Sequence, residues 1–340
     1  MPPSKPSTDG CLVALWRRRG AGAWLLFPLS LCFRLLVLLR RAFYRRGWLA
    51  TQRLPVPVVV IGNLTVGGAG KTPLLLSLAE ILRARGLRPG IISRGYRGRS
   101  DSVMEVSATS DPALAGDEPV VLARRSSCPV FIGRDRVAVA QALLAAHPDC
   151  NLILSDDGLQ HYRLARDVEI AVFDSRGVMN GWMLPAGPLR EPIARLRGVD
   201  AVVLNAAASP APTFSRPVFR MALDGEVLYR LDQPGTVCRA AEFAGQRLHA
   251  FAGIGAPQRF FDTLTALGLE FAAHSFPDHH AYRRAELLFS ADALLTTEKD
   301  AVKLAALDLP LPVWVLPVTA TVNPDLAAFI LEKLNGSSPA

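Results

Sequence analysis

No aspartate or glutamate occurs between Gly10 and Ala79, although ten arginines and lysines fall in that stretch. Lys5 and Asp9 cancel ahead of it, so the chain up to Ala79 carries +10 and the remainder −2 of the net +8. A body without a general positive surface argues against nucleic acid as the main partner. A basic end beside apolar residues suits a membrane surface of anionic lipid. The five cysteines, Cys11, Cys32, Cys128, Cys150 and Cys238, include no C-x-x-C pair and are odd in number. This excludes a disulfide framework and a zinc site, and fits a reducing compartment.

A long uninterrupted hydrophobic run is also missing. The most apolar segment, Trp24 to Leu39, contains Pro28 and Arg34. As a helix it would rise roughly 24 Å, short of a bilayer core of about 30 Å. Arg17 to Arg19 flank one end and Arg40, Arg41, Arg45 and Arg46 the other. Positive charge on both sides predicts a helix that lies in the interface, with Trp16, Trp24, Tyr44 and Trp48 as anchors, over one that spans. A single span and a buried core helix are the competing readings. A cleaved signal peptide lacks its small-residue site, because arginines and aromatics follow the apolar run.

What is present is a globular chain of 340 residues, half of them hydrophobic and a fifth charged. That length predicts two domains, or one large one with additions. VVVIGN, residues 58–63, reads as a fully buried strand. Thr65, Val66, Gly67, Gly68, Ala69, Gly70, Lys71 and Thr72 follow it, and then an apolar helix with Pro73 in its first turn and Gly86 past its end. Strand, glycine-rich loop and helix in that order form the context of a Walker A loop. Glycines let backbone N–H groups curl around a phosphate, and the helix N-terminus adds its dipole. Lys71 would bridge the β- and γ-phosphates of ATP, and the Thr72 hydroxyl would ligate Mg²⁺. The usual first glycine of the pattern is Thr65 here.

Strand-like runs at 89–96, 129–136, 151–158, 169–174 and 201–205 alternate with helical stretches such as RVAVAQALLAAH. This is an α/β pattern: a P-loop NTPase-like, mostly parallel sheet flanked by helices. Ligands of such sheets sit at the carboxyl ends of the strands. Ser93 to Tyr96, Asp156-Asp157-Gly158 and Asp174 fall there. LILSDDG resembles a Walker B strand, with Asp156 or Asp157 as the Mg²⁺ ligand. Gln160 and His161 would face the same site. Residues 206–217 read as a linker. Beyond it, strands at 248–255, 293–300 and 313–320, with a helix at 256–268, predict a smaller C-terminal α/β lobe. The expected division is 1–50, a membrane-associated segment; 51–205, the P-loop core; and 206–340, the second lobe.

IGNLTVGGAGKTP, SRGYRG, AGDEP, DDGLQH, GPLREP, PDHHAY and TTEKDAVK, in this order, resemble the tetraacyldisaccharide 4'-kinase family of the lipid A pathway. The likeness runs from the apolar segment to near residue 305. Ala69 departs from the family loop, which more often has Thr. The resemblance implies transfer of the ATP γ-phosphate to the 4'-hydroxyl of a tetraacylated glucosamine disaccharide 1-phosphate. It also implies a bacterial inner-membrane protein whose site faces the cytoplasm, with no stable protein partner. Under it, Asp117 is the general base and His279 its partner, a sensible pairing because an Asp near its ordinary pKa is a weak base. Arg94, Tyr96 and Gln160 are implied nucleotide or substrate contacts. Glu191, Lys299 and Asp300 stay open. Two other classes fit the motifs less well. A guanine-nucleotide enzyme would want Asn-Lys-x-Asp, which Thr297-Glu298-Lys299-Asp300 does not supply. A nucleotide-binding scaffold would have no use for Asp117.

Overall fold

The computed structural model describes residues 8–96, 98–100, 102–205, 215–305 and 307–336. Two helices come first, α1 (Thr8–Trp16) and α2 (Ala21–Arg45). The strand read at 58–63 is β1 (Val58–Gly62), buried at every position. The helix after the glycine loop is α3 (Lys71–Ala84). Next come β2 (Pro89–Ser93), β3 (Met104–Val106), α4 (Pro112–Ala115), α5 (Asp117–Arg125), β4 (Val130–Ile132), α6 (Arg136–Ala146), β5 (Leu152–Asp156), β6 (Val168–Phe173), β7 (Ala201–Asn205) and β8 (Val218–Asp224). The rest holds β9 (Val227–Arg230), β10 (Val237–Arg239), β11 (Leu248–Ala252), α7 (Pro257–Ala266), β12 (Phe271–Ser275), β13 (Ala293–Thr297), α8 (Glu298–Leu304), β14 (Val313–Leu316), β15 (Thr319–Asn323) and α9 (Leu326–Gly336).

Nine strands form one sheet in the order β15-β8-β7-β6-β1-β5-β2-β4-β3. β8 through β4 run parallel in that order; β15 and β3 close the two edges antiparallel. One face is covered by α3, α5 and α9, with Leu74, Leu78, Val120 and Ile330 in the core. The other is covered by α6, with Phe33 and Val37 of α2 against it. Both faces being covered explains why β1, β2, β5, β6 and β7 read as continuous apolar runs. The second sheet has six strands, β10-β9-β14-β13-β11-β12, packed by α7 on one side and by Tyr282, Leu287 and Leu304 on the other.

Three features differ from the sequence reading. β8, β15 and α9 lie beyond residue 205 yet build the first sheet and its core. The second sheet therefore comes from 227–316, and the chain returns afterwards to the first. The predicted linker falls at 206–214 outside the described residues, and the chain is already pairing with β7 from Val218. The run at 293–300 is a strand only to Thr297, whose side chain caps a new helix by accepting the Asp300 N–H, with Glu298 and Asp300 in its first turn. The run at 313–320 is two strands in two sheets, parted at Pro317.

If α9 belongs to the first core, Ile330→Ala should cost about 2–5 kcal/mol. Urea unfolding of the variant measures this, and an unchanged midpoint would contradict the placement.

Candidate active site

The loop after β1 is pinned from several sides. The Thr65 backbone bridges to Leu189, and the Val66 N–H donates to the Pro188 carbonyl. Those backbone contacts brace the start of the loop. Gly67 (φ 101°) and Gly70 (φ 87°) sit in the left-handed region, where a side chain is strained. A Cβ on Gly70 would also lie 2.3 Å from the Asn205 amide. That amide donates to the Ala69 carbonyl, and the Arg176 guanidinium donates to the Gly68 carbonyl. Lys71 opens α3, donating to Asn63 Oδ1 at 3.1 Å with Asp157 Oδ1 at 3.6 Å; Thr72 follows in the same turn.

β5 delivers two carboxylates side by side into opposite environments. Asp156 is buried and accepts from the Ser93 hydroxyl at 3.0 Å. Burial, with Glu118 nearby, raises its carboxyl to about 6 against the opposing effect of Lys71. Asp157 takes a left-handed backbone (φ 48°) and meets Arg190 at 2.8 Å. Burial pushes Asp157 up, but Lys71 and Arg190 outweigh it and hold the group at about 2. Oδ1 of each is buried without a hydrogen bond. Mg²⁺ on nucleotide phosphates is usually held by one or two carboxylates and keeps several waters, so this pair fits it.

The third part joins the two sheets. Asp117 is the first residue of α5 behind Gly116 (φ 89°), and is buried. His279, on the loop after β12, is held at φ 62° and lies with Nδ1 2.9 Å from Asp117 Oδ2. Non-glycine residues in this region cost about 1–3 kcal/mol and cluster at functional sites. α8 adds two lysines: Lys299 Nζ lies 3.3 Å from His279 Nε2, and Lys303 Nζ 3.9 Å from Asp117 Oδ2. The exit from β2 links this pair to the phosphate loop, because Ser93 holds Asp156 and the Tyr96 ring meets His279 at 5.8 Å.

The remaining residues named from sequence divide as follows. Gln160 donates to the Asn63 carbonyl and to Glu191, and accepts from Arg190. Arg94 is exposed beside the site. His161 is pushed down to about 4 by burial and by Arg136 and Arg94, so it is neutral near pH 7. Glu191 is buried, accepts from the Tyr162 hydroxyl and braces the loop. Asp300 is wholly buried, accepts from the Gly253 N–H and the Tyr282 hydroxyl, and pairs with Lys303. Sequence reasoning passed over Asn63, Arg176, Arg190 and Asn205. Asn63 and Arg190 stood inside quoted motifs; Arg176 and Asn205 carry no local signal.

The raised carboxyl of Asp156 has a stability consequence. Its folded value exceeds the ordinary 3.8, so the penalty is full above pH 6, shrinks between 6 and 3.8, and vanishes below. Asp156→Asn should therefore raise the Tm of protein freed of nucleotide and magnesium at pH 8, with a smaller gain at pH 5. Equal Tm values at pH 8 would contradict this environment.

The description tetraacyldisaccharide-1-P 4'-kinase, LpxK, belongs to the family model that matches residues 22–335. The tetraacyldisaccharide 4'-kinase of Azoarcus sp. (strain BH72) is 51% identical over 326 residues, covering 95% of each chain. That of Chromobacterium violaceum is 52% identical over 326 residues, covering 94% of this chain and 96% of its own. The crystal structure of "apo" form LpxK from Aquifex aeolicus in complex with ATP superposes with a TM-score of 0.79 at 30% identity, covering 92% of this chain and 99% of that one. The fold, the phosphate loop and the likeness over nearly the whole length make this chain a member of the tetraacyldisaccharide 4'-kinase family.

Proposed function

We propose that this protein transfers the γ-phosphate of ATP to the 4'-hydroxyl of a tetraacylated glucosamine disaccharide 1-phosphate, giving lipid IVA, at the cytoplasmic face of a bacterial inner membrane. The observation that carries the reading is the hydrogen bond between buried Asp117 and half-buried His279, in a chain that also carries a phosphate loop. Phosphoryl transfer asks mainly for positioning and charge stabilisation, plus a base at the attacking hydroxyl. His279 and Lys303 both approach Oδ2 of Asp117, which leaves Oδ1 to accept the sugar proton. Lys71 and the amides from Gly67 to Thr72 take the triphosphate. Asp156, with its orphan oxygen, and the Thr72 hydroxyl would hold Mg²⁺, which when bound neutralises charge between the β- and γ-phosphates. Asp157, tied to Lys71 and Arg190, positions the lysine.

The membrane side rests on α2. Its 25 residues run further than the 16 read from sequence and are long enough to cross a bilayer on length alone. One face, however, is committed to the protein. Ala23 and Ser30 are buried, Phe33 and Val37 pack on the core, and Ser30 Oγ donates to the Met183 carbonyl and accepts the Ala186 N–H. The Arg40 guanidinium lies over the Tyr162 ring. The opposite face exposes Trp24, Leu25, Leu29, Leu35 and Leu36. A helix docked along its length and greasy outside lies in the interface. A cavity of about 310 Å³ opens at its far end among Arg40, Arg134, Arg136 and Arg163, four cations against the single acid Asp135, which pairs with Arg163. An anionic sugar phosphate suits that lining.

Purified protein should phosphorylate the disaccharide lipid with ATP, and Lys71→Ala should not. Asp117→Asn should lower kcat by about 10²–10⁴-fold, the usual contribution of a general base. Activity kept in both variants would end the reading. Replacing Leu25, Leu29 and Leu36 by Asn, which touches only the outer face, should weaken partition to anionic vesicles; a co-sedimentation assay reads this.

A further inference from the structure

The charged groups that flank the two ring nitrogens of His279 have a fixed hydrogen-bonding character. Lys299 reaches it from α8, and its ammonium also meets Asp278 Oδ1 at 3.1 Å and Glu118 Oε1 at 3.4 Å. Two carboxylates around one amine keep that amine protonated: burial works against the charge, but Glu118 and Asp278 overcome it and the pKa of Lys299 is raised. A protonated amine is a donor only. Its contact with His279 Nε2 at 3.3 Å therefore needs a lone pair on that nitrogen. Asp278 Oδ1, at 3.7 Å from Nε2, is beyond hydrogen-bond reach. On the other side of the ring, Asp117 Oδ2 stands 2.9 Å from Nδ1 and accepts. The Tyr96 ring meets the imidazole edge-on, with centroids 5.8 Å apart.

We infer that Lys299 is a positioning residue that fixes the tautomer of His279, holding the proton on Nδ1 so that it is donated to the base Asp117. The inference rests on the proposed role of Asp117 and adds to it a function for the TTEKD segment, which the nucleotide site does not use. The second lobe thus supplies more than the histidine. α8 packs against α5, the helix that Asp117 opens, and is registered there by Glu298 on Arg125 at 2.7 Å. Its buried Asp300 anchors Lys303 one turn after Lys299. With Nδ1 already carrying hydrogen, His279 orients the carboxylate and is not the first acceptor of the sugar proton. Asp117 Oδ1 takes that proton as the oxygen–phosphorus bond forms and the bond to the leaving ADP oxygen breaks.

The test is a long-range ¹H–¹⁵N correlation spectrum of the full-length protein with labelled histidine, the His279 ring assigned among the six histidines by its loss in His279→Gln. Hydrogen placement on a ring is inferred from its partners and is directly read by this spectrum. Wild type should show a neutral ring protonated at Nδ1. Lys299→Met should give a mixed population or a ring protonated at Nε2, with kcat reduced at least about tenfold and KM for ATP nearly unchanged, as expected when a base is misoriented. Lys299→Arg should restore much of both. A wild-type ring protonated at Nε2 overturns the inference even if the variants fail to fold, and so does an unchanged ring and kcat in folded Lys299→Met. If wild type shows the Nδ1 tautomer but no lipid phosphorylation, the function falls and the tautomer assignment stands.

Discussion

The hydrogen bond between Asp117 and His279 is the contact on which the two lobes must agree. Its partners are 162 residues apart in sequence and belong to elements of different sheets. Asp117 is set by the start of α5 behind a left-handed glycine, and His279 by a loop bent into the left-handed region. Asp117 suits the first turn of a helix, whereas His279 pays for its left-handed backbone. What holds them together is the packing of α8 on α5 and the paired charges around it, so the proposed base meets its histidine only when the second sheet is seated on the first. This makes the second lobe part of the proposed chemistry and not an appendage to a nucleotide-binding core.

The same logic runs through the buried charges. Carboxylates out of water are costly unless paired or hydrogen-bonded. At the tip of β5 the chain ties one acid directly to Lys71 and Arg190, while its neighbour has the Ser93 hydroxyl as its hydrogen-bond donor. The asymmetry underlies the proposed division between an acid that positions Lys71 and one that holds a metal. Farther back, Glu169 is shared by Arg166 and Arg195, and Glu191 joins Tyr162 to Gln160. These pairings satisfy the groups that brace the phosphate loop. They also meet the ring of Tyr162, over which Arg40 and Arg41 of α2 lie. α2 and the loop are therefore neighbours through one polar layer.

α2 shows how a composition signal becomes a geometric one. Its apolar content would serve a span, an interface or a core. The docking of Ser30, Phe33 and Val37 on the body and the exposure of the leucines opposite separate these uses. The buried Ser30 hydroxyl ties α2 to the Met183 carbonyl and the Ala186 N–H, contacts that would be costly to break.

The sequence alone determined whatever depends on neighbours within about ten residues. The buried strand, the glycine loop and the capped helix of 58–86 were legible because backbone freedom and hydrophobic period are local properties, and the acids after β5 were legible as a strand tip. Ordered short motifs pointed to the family and to Asp117 and His279. Tertiary structure decided the rest. Arg176 and Asn205 touch the phosphate loop from over a hundred residues away and have no signature near them. The return of β15 and α9 to the first sheet was hidden because a strand's pattern states that one face is buried, not against which partner. Lys299 stood in a recognised motif without a role, since a lysine's use depends on which acceptors the fold brings within 3–4 Å, and that distance is set only when both sheets are in place.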